Sequence, residues 1–522
     1  MDKFFAGIDV STQSIKIIIL NFGDQSIVYK DSLNYDEELP KYQTINGIIK
    51  NNKSSVSESD PLMWIDAVKI VLDKVKKRTN LLPKIKALSV SGQQHGLVSL
   101  DKNGKLSRST SKLWNDFSTQ DECDILTEKL GGVEKMISEI ANTQRVGYTA
   151  SKIFHMYRNE RNSYMKTHSF LLVHNFINWY LSVGKIIMEE GDASGTGLWD
   201  PVKKNWSKKI MNIISKDLEK KLPQVKSSIQ SIGTISSYFV EKYGFDPNCK
   251  IGAGSGDNMY SAIGTGNIEP GIVSISLGTS GTAYTILKKP YVDLSGDIAC
   301  FCDSTGHYMS LLCISNMAGV YNTFLKENNL SHTEFEDLLS FTSPGNNGNI
   351  IVPWYDGERT PDLPEGSPIY FGFSLKDLNL KSLARGIMEG PILNLYEGFE
   401  RMPVKSKKIN ITGGLSVSKS WCQTIADIFN CKTVSIKDEG AALGAAIHAG
   451  WVWEQELGHT SDLKELVNSF IKINEDVSFY PKKDNKKVFD DVKLLYKSVS
   501  RRIRGLKGNN PFIIRKKIID NN

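Results

Sequence analysis

Two aspartates in this chain sit where acid–base or metal chemistry could be done. Asp257 follows "IGAGSG" (251–256), a strand that runs into flexible glycines, and precedes Asn258. Glycines let a backbone bend sharply and come close to a ligand. A carboxylate held there can take a proton from a hydroxyl while Asn258 hydrogen-bonds the same molecule. An ordinary Asx turn fits these residues equally well. Asp9 lies between two apolar runs in "FAGIDVSTQSIKIIIL" (5–20), followed by Ser11, Thr12, Gln13 and Ser14. Read alone, the stretch is a turn whose Asp and Ser side chains bond nearby amides. Beside a phosphate, the same carboxylate could anchor Mg²⁺, which takes one or two protein carboxylates and completes its shell with water and phosphate oxygens. His95, in "SGQQHGLV", ends a strand between Gly92 and Gly96. That placement suits polyol recognition, whereas a lone histidine is more often a hydrogen-bonded structural residue.

These residues need strands and helices to hold them. Apolar runs often closed by glycine, such as 85–96, 250–258, 271–287, 349–354 and 408–416, alternate with helical stretches, the pattern of an α/β protein. One helix follows Asp60 as N-cap and Pro61 in its first turn, with Trp64, Val68, Val71 and Val75 on one face. The Asn- and Ser-rich stretch 46–60 reads as a surface loop. "GIDVSTQSIKIIIL" (7–20) is echoed by "ISLGTSGTAYTIL" (275–287), each a strand, a Gly/Ser/Thr turn and a second strand. Such turns can aim amides and hydroxyls at phosphate oxygens. The echo, half a chain apart, is what two related domains would show. No GxxxxGK[ST] loop is present, and "GAGSGD" (252–257) lacks the third glycine of a dinucleotide fingerprint. In "DEGAALGAAIHAG" (438–450) small residues permit close approach of an adenine or of a neighbouring helix, and helix packing alone would explain them.

At 522 residues the chain exceeds one hydrophobic core, and two domains are expected. The apolar start is broken by Asp9, unlike a secretory signal, and no run reaches the length of a membrane span. The seven cysteines have no metal-finger spacing and read as buried free thiols in a reducing cytoplasm. The net charge of +6 is concentrated at one end: residues 481–522 hold thirteen Lys and Arg against four Asp, leaving the rest at −3. The body is therefore not a nucleic-acid binder by charge. The tail reads as a solvated helix and loose chain, with docking on an acidic partner or membrane surface as the rival.

Taken together, "GIDVSTQSIK", "SGQQHG", "LWND" (113–116), "GDASGTGLWD" (191–200), "GSGDN" (254–258), "SISLGTSGTAY", "PWYDGERTPD" (353–362) and "ITGGLSVSKSWCQTIADI" (411–428) resemble, in order, the signatures of the FGGY carbohydrate kinases. The resemblance implies two related ribonuclease-H-like (actin-like ATPase) α/β domains flanking a nucleotide/sugar cleft. The expected division is 1–260 with the sugar site and first phosphate hairpin, 261–480 with the second hairpin and adenine site, and a helix and basic tail over 481–522. It implies ATP and Mg²⁺ as cofactors, a small sugar as substrate, and a homodimer as the protein partner to consider. By the same resemblance Asp257 is the general base. Gln94, His95, Asp257 and Asn258 line the sugar. Ser11, Thr12, Gln13, Gly278, Thr279, Ser280, Gly413 and Gly414 contact the phosphates or nucleotide, and Asp9 places the metal. Asp192 is expected to be scaffold. Within the family, "SGQQHG" with "LWND" and "GSGDN" is most similar to kinases of D-xylulose, making a primary hydroxyl of that ketopentose the expected acceptor. Another polyol (ribulose, fuculose or glycerol), or an actin-like ATP-binding switch without sugar kinase activity, is the alternative.

Overall fold

The computed structural model describes residues 3–51, 53–182, 184–436, 440–471 and 477–521. They form two compact units. The first draws on Met1–Ile268, Leu287–Met309 and Glu439–Lys472, and the second on Glu269–Ile286, Ser310–Asp438 and Ile473–Asn522.

The first unit is built on a seven-stranded sheet. Its centre is the strand Phe4–Val10, buried along nearly all its length, as its near-continuous apolar sequence requires. It pairs antiparallel with Ser14–Asn21, which pairs antiparallel with Ser26–Asn34. On its other side Ile85–Gly92 runs parallel, followed by parallel Lys250–Gly252 and antiparallel Ser231–Thr234, while the short strand Ser255–Gly256 pairs parallel with the end of Ile85–Gly92. The helix Pro61–Arg78 covers one face with Trp64, Val68, Val71 and Val75 buried, and Asp60 accepts from the Leu62 amide at 2.8 Å. The stretch 46–60 is not a plain surface loop. Glu58–Ser59 pairs with Ser111–Lys112, Ser59 is fully buried with its hydroxyl on the Gly47 carbonyl, and the Ser57 amide donates to Asp116 at 2.9 Å.

The helix Gly440–Glu456 packs in this first unit; Asp438 and Glu439 of its motif lie outside the described residues. Its small side chains explain the placement. A Cβ at Gly444 would fall 1.8 Å from the Tyr260 carbonyl, and one at Gly7 would fall 2.0 Å from the Ala442 carbonyl. The helix thus meets both the strand Phe4–Val10 and the helix Asp257–Gly264 backbone to backbone, which only glycine permits. Strand Ala299–Cys302 also belongs here, with the Asn142 amide clasping both polar groups of the Cys300 backbone at 2.8 and 2.9 Å.

In the second unit the strands Tyr308–Ile314, Gly281–Leu287, Ile272–Leu277, Lys408–Thr412, Thr433–Ser435 and Ser478–Phe479 follow in that order. The hairpin Ile272–Leu277/Gly281–Leu287 is antiparallel, the next two pairings are parallel and the last is antiparallel. As in the first sheet, a hairpin is followed by two parallel pairings and an antiparallel edge, but Ser231–Thr234 precedes its neighbour in the chain whereas Ser478–Phe479 follows its own. The tail is ordered rather than loose. Lys483–Ile503 is a helix, and Pro511–Asn521 is a second, whose Arg515 donates to the carbonyls of Gly348 and Gly372 and to Asn349. All seven cysteines are free. Among the described residues no helix is long and apolar enough to cross a membrane.

Candidate active site

In the first unit the expected residues gather where the parallel strands end. Asp9 is the penultimate residue of Phe4–Val10, in register with Ser91, and the neighbouring strand closes at Gly92. The chain then turns through Gln93, Gln94 and His95. The Gln93 amide donates to the Val10 carbonyl at 3.0 Å, and its side-chain oxygen accepts from Thr12 Oγ1 at 3.3 Å. That ties this turn to the tip of the first hairpin. Within the tip Ser11 closes on Ser14 through its amide at 3.0 Å and its hydroxyl at 2.8 Å, while Gln13 is exposed. Trp114 of "LWND" donates to Thr12 Oγ1 at 3.0 Å.

Asp257 is the first residue of the helix Asp257–Gly264, immediately after Gly256. A carboxylate there faces amides that lack intrahelical partners. Its Oδ1 accepts from the Asn258 amide at 2.8 Å and from Asn258 Nδ2 at 3.2 Å. Asn258 Nδ2 also donates to Gln94 Oε1 at 2.8 Å, joining the acid to the glutamine–histidine turn. Gly256 is required at this crossing, because a Cβ would fall 2.6 Å from Gln94 Cγ. Although part of Asp257 stays open to solvent, burial, then the negative charges of Asp9 and Asp192, push its carboxyl up to about 8. The carboxylates of Asp9 and Asp257 therefore feel each other, and a cation would relieve them. Among the described residues no group of three or more His, Cys, Asp or Glu forms a protein-only metal cage. The donor set fits Mg²⁺ held jointly with phosphate rather than an enclosed metal site.

Beneath Asp257 lies a buried polar layer that the sequence does not announce. Both oxygens of Glu189 are taken up: they accept from the amides of Gly191 at 2.6 Å and Asp192 at 2.5 Å, and from the hydroxyls of Ser228 at 2.6 Å and Ser255 at 3.0 Å. Burial pushes Glu189 up to about 7. Asp192 is fully buried, with one oxygen 2.8 Å from His174 Nδ1. Lys152, 1% exposed, donates to the carbonyl of His95 at 2.7 Å. Its one signal in the sequence is a charged residue among Thr149, Ala150 and Ile153 on the buried side of the helix Thr149–Asn159.

The remaining expected residues belong to the second unit. Gly278, Thr279 and Ser280 form the tip of its hairpin, and the carbonyls of Gly278 and Thr279 accept from the amides of Met317, Ala318 and Gly319 at 2.9–3.2 Å. Gly413 follows the parallel strand Lys408–Thr412 at φ 87°, and a Cβ there would strike the Leu277 backbone at 2.7 Å. At Gly414 a Cβ would meet nothing within 4 Å. Hairpin tip and glycine pair thus lie together, with Gly414 open for close approach.

The N-terminal domain of the FGGY family of carbohydrate kinases matches residues 4–264, and the family's C-terminal domain matches 273–453. A xylulose kinase of Haemophilus influenzae is 34% identical over 488 residues, 91% of this chain and 95% of that protein. One from Bacillus subtilis is 29% identical over 514 residues, 95% and 96% of the two chains. Among solved structures, the ligand-bound xylulose kinase from Lactobacillus acidophilus has a TM-score of 0.85 at 23% identity, over 96% of this chain and 98% of that one. Plasmodium falciparum glycerol kinase with ADP reaches 0.82 at 20% identity, over 96% and 98%. These two likenesses show the fold.

Proposed function

The chain belongs to the FGGY family of carbohydrate kinases, ATP-dependent sugar kinases, and we propose that its acceptor is D-xylulose, converted to D-xylulose 5-phosphate. The observation that carries the reading is the chain of contacts from Asp257 through Asn258 to Gln94, which sets a proton acceptor beside a row of hydrogen-bonding side chains. The relatives named xylulose kinase support the choice of sugar.

In this reading the sugar's primary hydroxyl attacks the γ-phosphorus in line and Asp257 takes its proton. Burial and the neighbouring acids raise its carboxyl, and a cation held at Asp9 would offset that rise and keep it ionised to accept the proton. Asn258 Nδ2 is held by Asp257 and Gln94, so its carbonyl oxygen is the atom we assign to a sugar hydroxyl. Gln94 and His95 are assigned to the remaining hydroxyls. Ser11, Thr12 and Gln13, and in the second unit Gly278, Thr279 and Ser280, are assigned to the phosphates, and Gly413 and Gly414 to the nucleotide. Asp9 would hold Mg²⁺, which when bound spreads the charge of the transferred phosphoryl group. The free cysteines suit a reducing compartment, and we assign the enzyme to the cytoplasm.

The test is ADP release with Mg-ATP in the presence of D-xylulose, D-ribulose, L-ribulose, L-fuculose, glycerol or no sugar. Strong stimulation by D-xylulose is expected. Stimulation by a different polyol would overturn the sugar assignment and keep the kinase. Equal turnover with every acceptor and with none would overturn sugar phosphorylation itself.

A further inference from the structure

We propose that Lys152 is a positioning residue for the sugar site, holding His95 in a left-handed backbone conformation that the histidine would not keep alone. The proposal rests on the reading of His95 as a sugar contact.

His95 has φ +66°, a region that residues with a Cβ rarely enter and that persists only when the surroundings impose it. The surroundings here are specific. Its ring packs against Tyr148, with centroids 4.6 Å apart and planes at 36°. On another side lies Gly195, where a Cβ would fall 2.8 Å from His95 Cε1. The ring is thus clasped by two neighbours, but neither fixes the backbone. Lys152 does so. Its Nζ reaches the His95 carbonyl at 2.7 Å, and Thr149 Oγ1, one helical turn earlier, approaches the same oxygen at 3.4 Å.

Burying an ammonium group is costly unless it is hydrogen-bonded and charge-compensated. Burial pulls the Lys152 amine down to about 7 against the opposing pull of Asp116, while Lys112 repels it. Asp116 is itself engaged by Lys112 at 3.3 Å and by the amides of Ser57 and Ser118, so it is not a dedicated counter-ion. A chain that needed only to fill this space would use leucine or methionine. What the lysine adds is a hydrogen bond to one carbonyl, in the turn that carries Gln94 and His95. The helix bearing it is fixed in turn by the Ser151–Thr119 hydroxyl pair at 2.8 Å.

The experiment compares wild type, K152M, K152R, H95G and the double variant K152M/H95G, measuring KM for D-xylulose, KM for ATP, kcat and Tm. Glycine adopts the left-handed conformation without help and removes the ring. K152M is expected to raise the sugar KM about tenfold or more, equivalent to about 1.4 kcal/mol, with ATP KM changed by less than about twofold. K152R should recover part of the loss. In the H95G background K152M should change the sugar KM little further, because two residues acting through one contact are not additive. An unchanged sugar KM in K152M, or an equal effect with and without H95G, would overturn the proposal while leaving the sugar site in place. An unchanged sugar KM in H95G alone would overturn the sugar reading of His95, and the proposal with it. Should K152M fail to fold, recovery of folding in K152M/H95G supports the proposal, and failure in both backgrounds overturns it.

Discussion

In the proposed reaction the two acids divide the work differently, and single substitutions separate them. Asp257→Asn keeps the hydrogen bonds of the helix start but removes the proton acceptor. It should lower kcat by roughly two to four decades, the usual worth of general-base catalysis, with ATP affinity nearly intact by calorimetry; wild-type turnover would remove Asp257 from that role. Asp9→Asn should instead raise the Mg²⁺ concentration for half-maximal rate, by about tenfold or more given the sensitivity of metal affinity to ligand changes. An unchanged Mg²⁺ titration would count against Asp9 as the metal anchor. Both aspartates were legible because each stands out chemically, one after a glycine run and one inside an apolar hairpin. Lys152 and Glu189 were not. A charged residue on a buried helix face marks Lys152 only weakly, and the contacts that give each charge its place, a carbonyl 57 residues away and a serine 66 residues away, leave no trace in the sequence.

Elements carry their own signatures only when the pattern is local. The helix Pro61–Arg78 was readable from its cap, its proline and its apolar spacing, all within eighteen residues. Stretch 46–60 looked like loop because its anchoring is distant. Glu58 is gripped by Arg108 at 2.8 Å, which also binds Glu160 at 2.7 Å, and Lys112 lies 3.1 Å away. Burial alone would raise the Glu58 carboxyl, but the Arg108 bonds and charge override it and hold the group at about 2. The folded pKa lies below the unfolded value of about 4.3, so the group's contribution to stability is present above that value and is lost as pH falls toward 2. The Tm of Glu58→Gln should therefore lie below wild type at pH 7, and the difference should shrink steadily between about pH 4.5 and pH 2. A difference that stays constant with pH would mean that packing, not charge, anchors the segment.

At the scale of the molecule, the echo between residues 7–20 and 275–287 proves to be the visible edge of a larger repetition. Each hairpin lies beside a parallel strand in its own sheet, with a second parallel strand beyond it. The other strands left no echo, because their sequences answer only to burial. The path of the chain was also hidden: the helix Gly440–Glu456 is a poor helix signal by periodicity, being apolar nearly all round, and only its contacts assign it to the first unit. Without it, Phe5, Ile18 and Leu20, now fully buried, lose their cover. A fragment of residues 1–268 should consequently aggregate or lack cooperative unfolding by calorimetry, while adding a peptide of residues 440–471 should improve its solubility. A soluble, cooperatively melting 1–268 fragment would show that the helix is dispensable to that fold.

The same interleaving sets a clock on synthesis. Ribosomes add about 5–20 residues per second, and domains generally fold as they emerge. The first sheet is complete once Ser255–Gly256 has emerged, yet the helix that seals its rear face ends at Glu456. At those rates the nascent sheet waits on the order of 10–40 s with an apolar face open. For this enzyme the hazardous interval is therefore written into the order of its segments, and slower translation lengthens it.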